Sequence, residues 1–192
     1  MAAAGSGDRL GAGGPKAFVP VAGRPLVEWS LDAFRACESV RSIVVAVPPG
    51  HVGELGGHDL AVVPGGATRA ESVANALEAV GTGYVAIHDA ARPLLTPELV
   101  EALVADLDAA PEAAGAIAAG PVTDTVKRAV EKTSAELSTS GVPNSALVIE
   151  RTEDRSELWA AQTPQVFRTA ALRKALAAAE RPQEATDEAM LV

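Results

Sequence analysis

Three short runs rich in apolar and β-branched residues limit how this chain can fold. Val40 to Val47, Leu60 to Val63 and Tyr84 to Ile87 are each closed by a turning segment: Pro48-Pro49-Gly50, Pro64-Gly65-Gly66 and His88-Asp89. Runs of this kind read as strands buried in a sheet. Helical patterns separate or follow them. Pro25 stands where a helix takes its first residue, and Leu26, Ser30, Ala33, Phe34 and Cys37 form its stripe. Thr68-Arg69-Ala70-Glu71 matches a capping box ahead of a helix whose core face is Val73, Ala76, Leu77 and Val80. Thr96 and Pro97 open a third helix with a Leu99, Leu103 and Leu107 face, and Thr169 to Ala179 reads as a fourth. Strand alternating with helix predicts an α/β fold, in which ligands gather beyond the carboxyl ends of parallel strands.

The first sixteen residues carry a different signal. Ala2-Ala3-Ala4 runs into Gly5, Gly7, Gly11, Gly13 and Gly14, and the segment ends in Pro15-Lys16. A glycine-rich backbone can lie against a ligand with no Cβ in the way, and its exposed N–H groups form a concavity for anions, phosphate above all. Arg9 adds a forked cation and Lys16 a mobile one. Two familiar glycine patterns fail here. A dinucleotide motif starting at Gly5 and Gly7 meets Leu10 where its third glycine belongs, and Lys16 follows Pro15 and precedes Ala17, unlike a Walker lysine. The opening therefore reads as a triphosphate grip of another kind, with a loose, non-binding terminus as the alternative.

Charge narrows the choice of partner. With 25 acids against 16 bases the net charge is −9, which disfavours nucleic acid. A protein this acidic that handles phosphate must gather its cations locally, and Arg9, Lys16, Arg69, Arg92 and Arg155 all stand beside Gly, Thr, Pro or acidic turn residues. The Gly65-Gly66 turn with Arg69 makes a second candidate anion site, or simply a capped helix. Asp89, at the end of the Tyr84 to Ile87 strand, offers a hard oxygen for Mg²⁺, with Arg92 three residues on. His88 is assigned no role beyond a structural hydrogen bond. The 192 residues form one domain, 1–192, with no run long enough to span a membrane. The single Cys37 fits a reducing compartment and nothing marks the opening for secretion, so a cytoplasmic location is expected.

Late in the chain the pattern changes. From Glu131 to Asn144 Lys, Glu, Ser, Thr, Gly and Pro dominate, between Pro121 to Arg128 and the renewed strand Ala146 to Ile149. This reads as a two-stranded arm over 125–155 with a long polar tip. An isolated hairpin is marginal in water, so the arm is expected to pack against a second subunit.

Taken in order, these residues resemble the 2-C-methyl-D-erythritol 4-phosphate cytidylyltransferases of the non-mevalonate isoprenoid pathway. The likeness rests on Ala3 to Arg9, Pro15-Lys16, Gly65-Gly66 with Arg69 and Ser72-Val73, and His88 to Pro93. It continues through Pro121 to Thr125 with Lys127, Thr152 with Asp154-Arg155, Gln162 to Gln165, and Thr186-Asp187-Glu188. The resemblance implies a Rossmann-like nucleotidyltransferase sheet flanked by helices, with a protruding β-arm for dimerisation. It implies transfer of CMP from CTP to methylerythritol phosphate, with Mg²⁺ or another divalent cation.

Carried over position by position, Ala3, Ala4, Gly5, Gly7, Gly66, Ser72 and Ala90 would bind the nucleotide. Arg9 and Lys16 would be catalytic, and Asp89 would hold the metal. Asp89, Arg92, Thr125, Arg155 and Thr163 would bind the acceptor, with Thr125 and Arg155 reaching a neighbouring subunit. The family also carries a strand ahead of the Ala-Ala-Gly segment and continues beyond Leu191-Val192, and its usual arm tip is shorter. A cytidylyltransferase acting on ribitol 5-phosphate, and a catalytically silent nucleotide-binding homologue, are the competing readings.

Overall fold

A computed structural model describes residues 1–5, 14–133, 145–179 and 185–192. The chain forms two compact units, Met1–Ala118 with Gln162–Val192, and Ala119–Ala161. After a 3-10 turn at Lys16–Phe18, a two-residue ladder joins β1 (Pro20–Val21) to β2 (Arg24–Pro25) and leads into α1 (Leu26–Arg35). There follow β3 (Ile43–Val47), β4 (Leu60–Pro64), α2 (Arg69–Glu78), β5 (Tyr84–Ile87) and α3 (Pro97–Ala109). The remainder is β6 (Gly115–Pro121), β7 (Lys127–Thr133), β8 (Ser145–Thr152), β9 (Trp159–Arg168) and α4 (Thr169–Ala178), with a last 3-10 turn at Glu188–Met190.

The opening residues sit at the middle of the sheet. β3 and β4 run parallel, Ile43 opposite Leu60 and Val47 opposite Pro64, while β5, β9 and β6 form a second ladder in that order. Ala2 bridges the two, in parallel to both Ala46 and Asp89. Its N–H donates to the His88 carbonyl at 2.9 Å and its carbonyl accepts from Ala90 N–H at 3.0 Å. On the other side Ala3 N–H reaches the Ala46 carbonyl at 2.8 Å, and Ala46 N–H reaches the Met1 carbonyl at 3.0 Å. The resulting order is β4, β3, Met1–Ala3, β5, β9, β6. The sheet is mixed rather than wholly parallel, because β9 runs against β5 with Ile87 opposite Gln165.

Helices cover both faces. Val166 packs with Leu103 and Leu107 of α3, while the next residue, Phe167, packs with Val73 and Leu77 of α2 and Leu172 of α4. Successive strand residues point to opposite faces, so α3 and the α2–α4 pair lie on opposite sides. α1 sends Val27, Leu31 and Phe34 into a cluster with Val45, Val47 and Val100. Burying a side chain of this size contributes about 1.5–3 kcal/mol, and Leu107→Ala is expected to cost about 2–5 kcal/mol.

Two helix expectations need correction. Pro25 is the cap of α1 rather than its first residue, since pairing with Pro20 holds it in an extended conformation at ψ 140°. The buried stripe of α3 is Val100, Leu103 and Leu107, with Leu99 exposed, because helical spacing from Leu103 reaches back to Val100 on the covered side.

The second unit is built on an antiparallel hairpin of β7 and β8, paired from Lys127 opposite Thr152 to Thr133 opposite Ser145, with a bulge at Arg128/Ala129. Leu147 and Ile149, two residues apart and so on one face, are both exposed. The expected tip falls largely on 134–144, outside the described residues.

An apolar cavity of about 350 Å³ lies in the lane ahead of Met1, lined by residues such as Val44, Tyr84 and Val104. It sits at the amino ends of β3 and β5, away from the strand ends where phosphate chemistry is expected.

Candidate functional site at the strand ends

At the carboxyl ends of β3 and β4 the backbone segments lie too close together for side chains. Gly65 N–H donates to the Val47 carbonyl at 2.7 Å. A Cβ on Gly65 would come within 2.3 Å of the Ala4 Cβ, and one on Gly66 within 2.3 Å of the Glu71 Cβ. Glycine is therefore required at both positions, and Ala4 is drawn against the turn that precedes α2. Ser72 Oγ accepts from Gly66 N–H at 3.1 Å and donates to the Thr68 carbonyl at 2.9 Å. The Ser72 side chain is buried, so it shapes the Gly66 loop from behind. Thr68 caps α2 by accepting from Glu71 N–H, and the Glu71 carboxylate returns to Ala67 N–H at 2.8 Å.

Ala3, Ala4, Gly66, Ser72 and Ala90 are thus joined through one lane of backbone. Gly5 is exposed at its mouth. Gly7 and Arg9 lie outside the described residues. Lys16 is exposed on its short turn, which is anchored by the buried Ala17 next to it and by Phe18, whose ring stacks on His51 at 5.1 Å.

Asp89 is the electrostatic centre. Its Oδ1 accepts from Arg69 Nε and Nη2, both at 3.2 Å, and its Oδ2 accepts from Arg92 Nε at 3.2 Å. Arg69 also donates from Nη1 to Glu188 Oε1 at 2.5 Å. Burial works against the charge of Arg69, but Glu188 and Asp89 outweigh it and hold the guanidinium pKa above its ordinary value. Arg69 is therefore held by two carboxylates and acts as the clamp on Asp89. Arg92 has a further partner in the Gln162 side-chain oxygen.

Behind Asp89 lies a buried polar network. Asp89 N–H donates to Thr163 Oγ1 at 3.2 Å, and that hydroxyl lies 3.0 Å from His88 Nδ1. His88 Nε2 faces the Arg92 carbonyl at 3.2 Å and Ser30 Oγ at 3.3 Å. The partners assign the tautomer: Nε2 carries the proton toward the Arg92 carbonyl, and Nδ1 accepts from Thr163. Burial pushes the His88 pKa down to about 4. His88 is the hydrogen-bonded structural group expected of it, and Thr163 is fixed by it. Gln165, also buried, bonds the Gln162 carbonyl at 3.3 Å and Asp187 Oδ2 at 2.9 Å.

Reading the sequence gave no roles to Gln162, Gln165 and Glu188, although the Gln162 to Gln165 and Thr186-Asp187-Glu188 segments stood out as motifs. Thr125 and Arg155 belong to the second unit, where Arg155 donates to the Thr123 carbonyl.

The residues suit a hard divalent cation in one way only. Among the described residues no group of three His, Cys, Asp or Glu side chains forms a metal cage. Mg²⁺ commonly needs no such cage, taking one or two carboxylates plus substrate phosphates. Asp89, partly exposed at the strand end, is the carboxylate of that kind.

Comparison with known proteins agrees on one family. The family model for 2-C-methyl-D-erythritol 4-phosphate cytidylyltransferase matches residues 1–192. A bifunctional IspD/IspF enzyme of Anaeromyxobacter sp. is 44% identical over 200 residues, covering 100% of this chain and 48% of its own. A 2-C-methyl-D-erythritol 4-phosphate cytidylyltransferase of Paraburkholderia phymatum is 40% identical, covering 98% of this chain and 79% of the relative. The chain thus spans about half of the bifunctional relative and about four fifths of the other. Among solved structures, the Thermus thermophilus cytidylyltransferase matches with a TM-score of 0.71 and 39% identity, over 94% of this chain and 78% of that one. Among the described residues no helix is long and apolar enough to cross a membrane.

Proposed function

This chain belongs to the 2-C-methyl-D-erythritol 4-phosphate cytidylyltransferase family, and from that premise we propose how its residues divide the reaction. CMP passes from CTP to 2-C-methyl-D-erythritol 4-phosphate, pyrophosphate leaves, and 4-diphosphocytidyl-2-C-methyl-D-erythritol is formed. The acceptor phosphate oxygen forms a bond to the α-phosphorus of CTP as the bond to the bridging oxygen breaks, and that oxygen departs with the pyrophosphate. The protein need supply little covalent chemistry, so positioning and charge stabilisation carry the rate.

In this reading the Ala3-Ala4-Gly5 segment, Gly7, the Gly66 turn and Ala90 bind the nucleotide. Ser72 supports Gly66. Arg9 and Lys16 grip the triphosphate and offset charge as the acceptor attacks. Arg92, Asp89 and Thr163 face the acceptor, Thr163 also holding Asp89 through its backbone N–H, and Thr125 and Arg155 add contacts to the acceptor in a neighbouring subunit's site. A divalent cation held by Asp89 and the CTP phosphates would supply neutralisation of the developing pyrophosphate charge. Exposed Leu147 and Ile149 support a homodimer formed through the hairpin. The family's chemistry on CTP and a polyol phosphate supports a cytoplasmic location.

The observation that carries the reading is the joined lane of Ala2 to Ala4, Gly65-Gly66 and Asp89 at the strand ends. Its test is pyrophosphate release from CTP with each acceptor in turn. Turnover with 2-C-methyl-D-erythritol 4-phosphate well above that with ribitol 5-phosphate is expected. Turnover with ribitol 5-phosphate alone, or CTP binding with no turnover of either, overturns it.

A further inference from the structure

Glu188 is almost wholly buried, at 2% exposure, yet only one of its carboxylate oxygens has a partner among the described residues. Oε1 meets Arg69 Nη1 at 2.5 Å, while Oε2 is buried without a hydrogen bond. Burying a carboxylate in this way is costly, and a buried ion pair is weak grounds for stability, since apolar side chains of similar volume often do as well. Its specific effect is geometric. Glu188 takes one nitrogen of the Arg69 fork, and the other two donors both fall on the same oxygen of Asp89. A guanidinium is planar, so fixing one edge fixes the direction of the other.

The two cations on Asp89 therefore differ. Arg69 is anchored from behind by a buried carboxylate 119 positions away in sequence and holds Oδ1. Arg92 is 44% exposed, holds Oδ2 and donates to the Gln162 side-chain oxygen, so it meets Asp89 from the open side. We infer that Glu188 is a positioning residue: through Arg69 it sets the rotation of the Asp89 carboxylate, so that Oδ2 is the oxygen presented to the substrates. This rests on the reading of Asp89 as a site residue given above.

The test is a cycle of Glu188→Ala, Asp89→Asn and the double variant, with Glu188→Gln beside them. Turnover is normalised to active sites counted by calorimetric CTP binding. Losing an outer partner of this type typically costs about 10- to 100-fold. Glu188→Ala is expected to lower kcat by about 10-fold or more at unchanged CTP stoichiometry. Glu188→Gln, which keeps an acceptor for Arg69, should recover most of that loss. Adding Glu188→Ala to Asp89→Asn should change kcat by less than about 2-fold, because the group being positioned is already altered.

Multiplicative losses in the double variant, or a loss that vanishes on normalising to active sites, would show that Glu188 only supports the fold. Should Glu188→Ala not fold, the same cycle with Glu188→Gln decides it: additivity overturns the inference, coupling upholds it. Failure of the wild-type protein to turn over 2-C-methyl-D-erythritol 4-phosphate would instead overturn the functional reading on which it rests.

Discussion

Lowering the pH from 7 to 5 should destabilise the main unit through His88, and the size of the loss follows from its surroundings. The ring packs edge-on against Phe34, with centroids 5.6 Å apart, and both nitrogens are hydrogen-bonded. Burial lowers its pKa from 6.5 to about 4. As pH falls below 6.5 the unfolded chain takes up a proton that the folded chain refuses until about pH 4. Stability is thus lost across this window and no further below it. Each pKa unit corresponds to about 1.4 kcal/mol, so the loss is about 2 kcal/mol at pH 5 and about 3 kcal/mol in full. A loss of about 2 kcal/mol lowers Tm by roughly 4 to 8 °C in a unit of this size.

Denaturant unfolding of wild type and His88→Gln at pH 7, 6 and 5 isolates the effect. Groups far from His88 cancel in the difference. The variant is expected to be weaker at pH 7, and its deficit should shrink by about 2 kcal/mol at pH 5. Parallel pH profiles for the two proteins, or an NMR titration that protonates His88 near pH 6.5, would refute the argument.

Three other outcomes are expected. Lys16→Ala should lower kcat by about 10² to 10³ while leaving Tm unchanged, because the side chain is exposed and loss of one preorganised charge donor has that effect. Near-normal turnover would remove Lys16 from the catalytic set. Gly65→Ala should cost about 1–3 kcal/mol and weaken CTP binding, since its Cβ would sit 2.3 Å from the Ala4 Cβ and 3.0 Å from Ser72 Oγ. An unchanged melting curve and CTP affinity would contradict the close packing. Light scattering is expected to give the wild type the mass of a dimer and the Leu147→Asp, Ile149→Asp variant that of a monomer. A dimer that persists would move the interface off this face.

Local sequence determines much of this protein. The β-branched runs became β3, β4 and β5 because only strands buried in a sheet suit such segments, and Thr68 and Thr96 cap α2 and α3 because their hydroxyls reach N–H groups three residues on. The place of Asp89 just past a strand was legible, and so was the turn that Gly65-Gly66 close. Short-range rules miss contacts between distant segments. Nothing near Arg69 announced that its charge is taken by Asp89, 20 positions away, and by Glu188, 119 away. Nothing near Thr163 announced that the fold places His88 against its hydroxyl. Leu99 and Val100 are equally apolar neighbours, and only packing decided which one is covered.

The sequence by itself therefore determined the elements, their caps and the chemistry available at the strand ends, since those depend on neighbours a few residues apart. The tertiary structure alone decided that Met1–Ala3 lies between β3 and β5, that β9 runs against β5, and that Asp89 is held between two arginines. Each of these is a pairing across long stretches of chain, settled by backbone hydrogen bonds and charge contacts that exist only once the sheet has assembled.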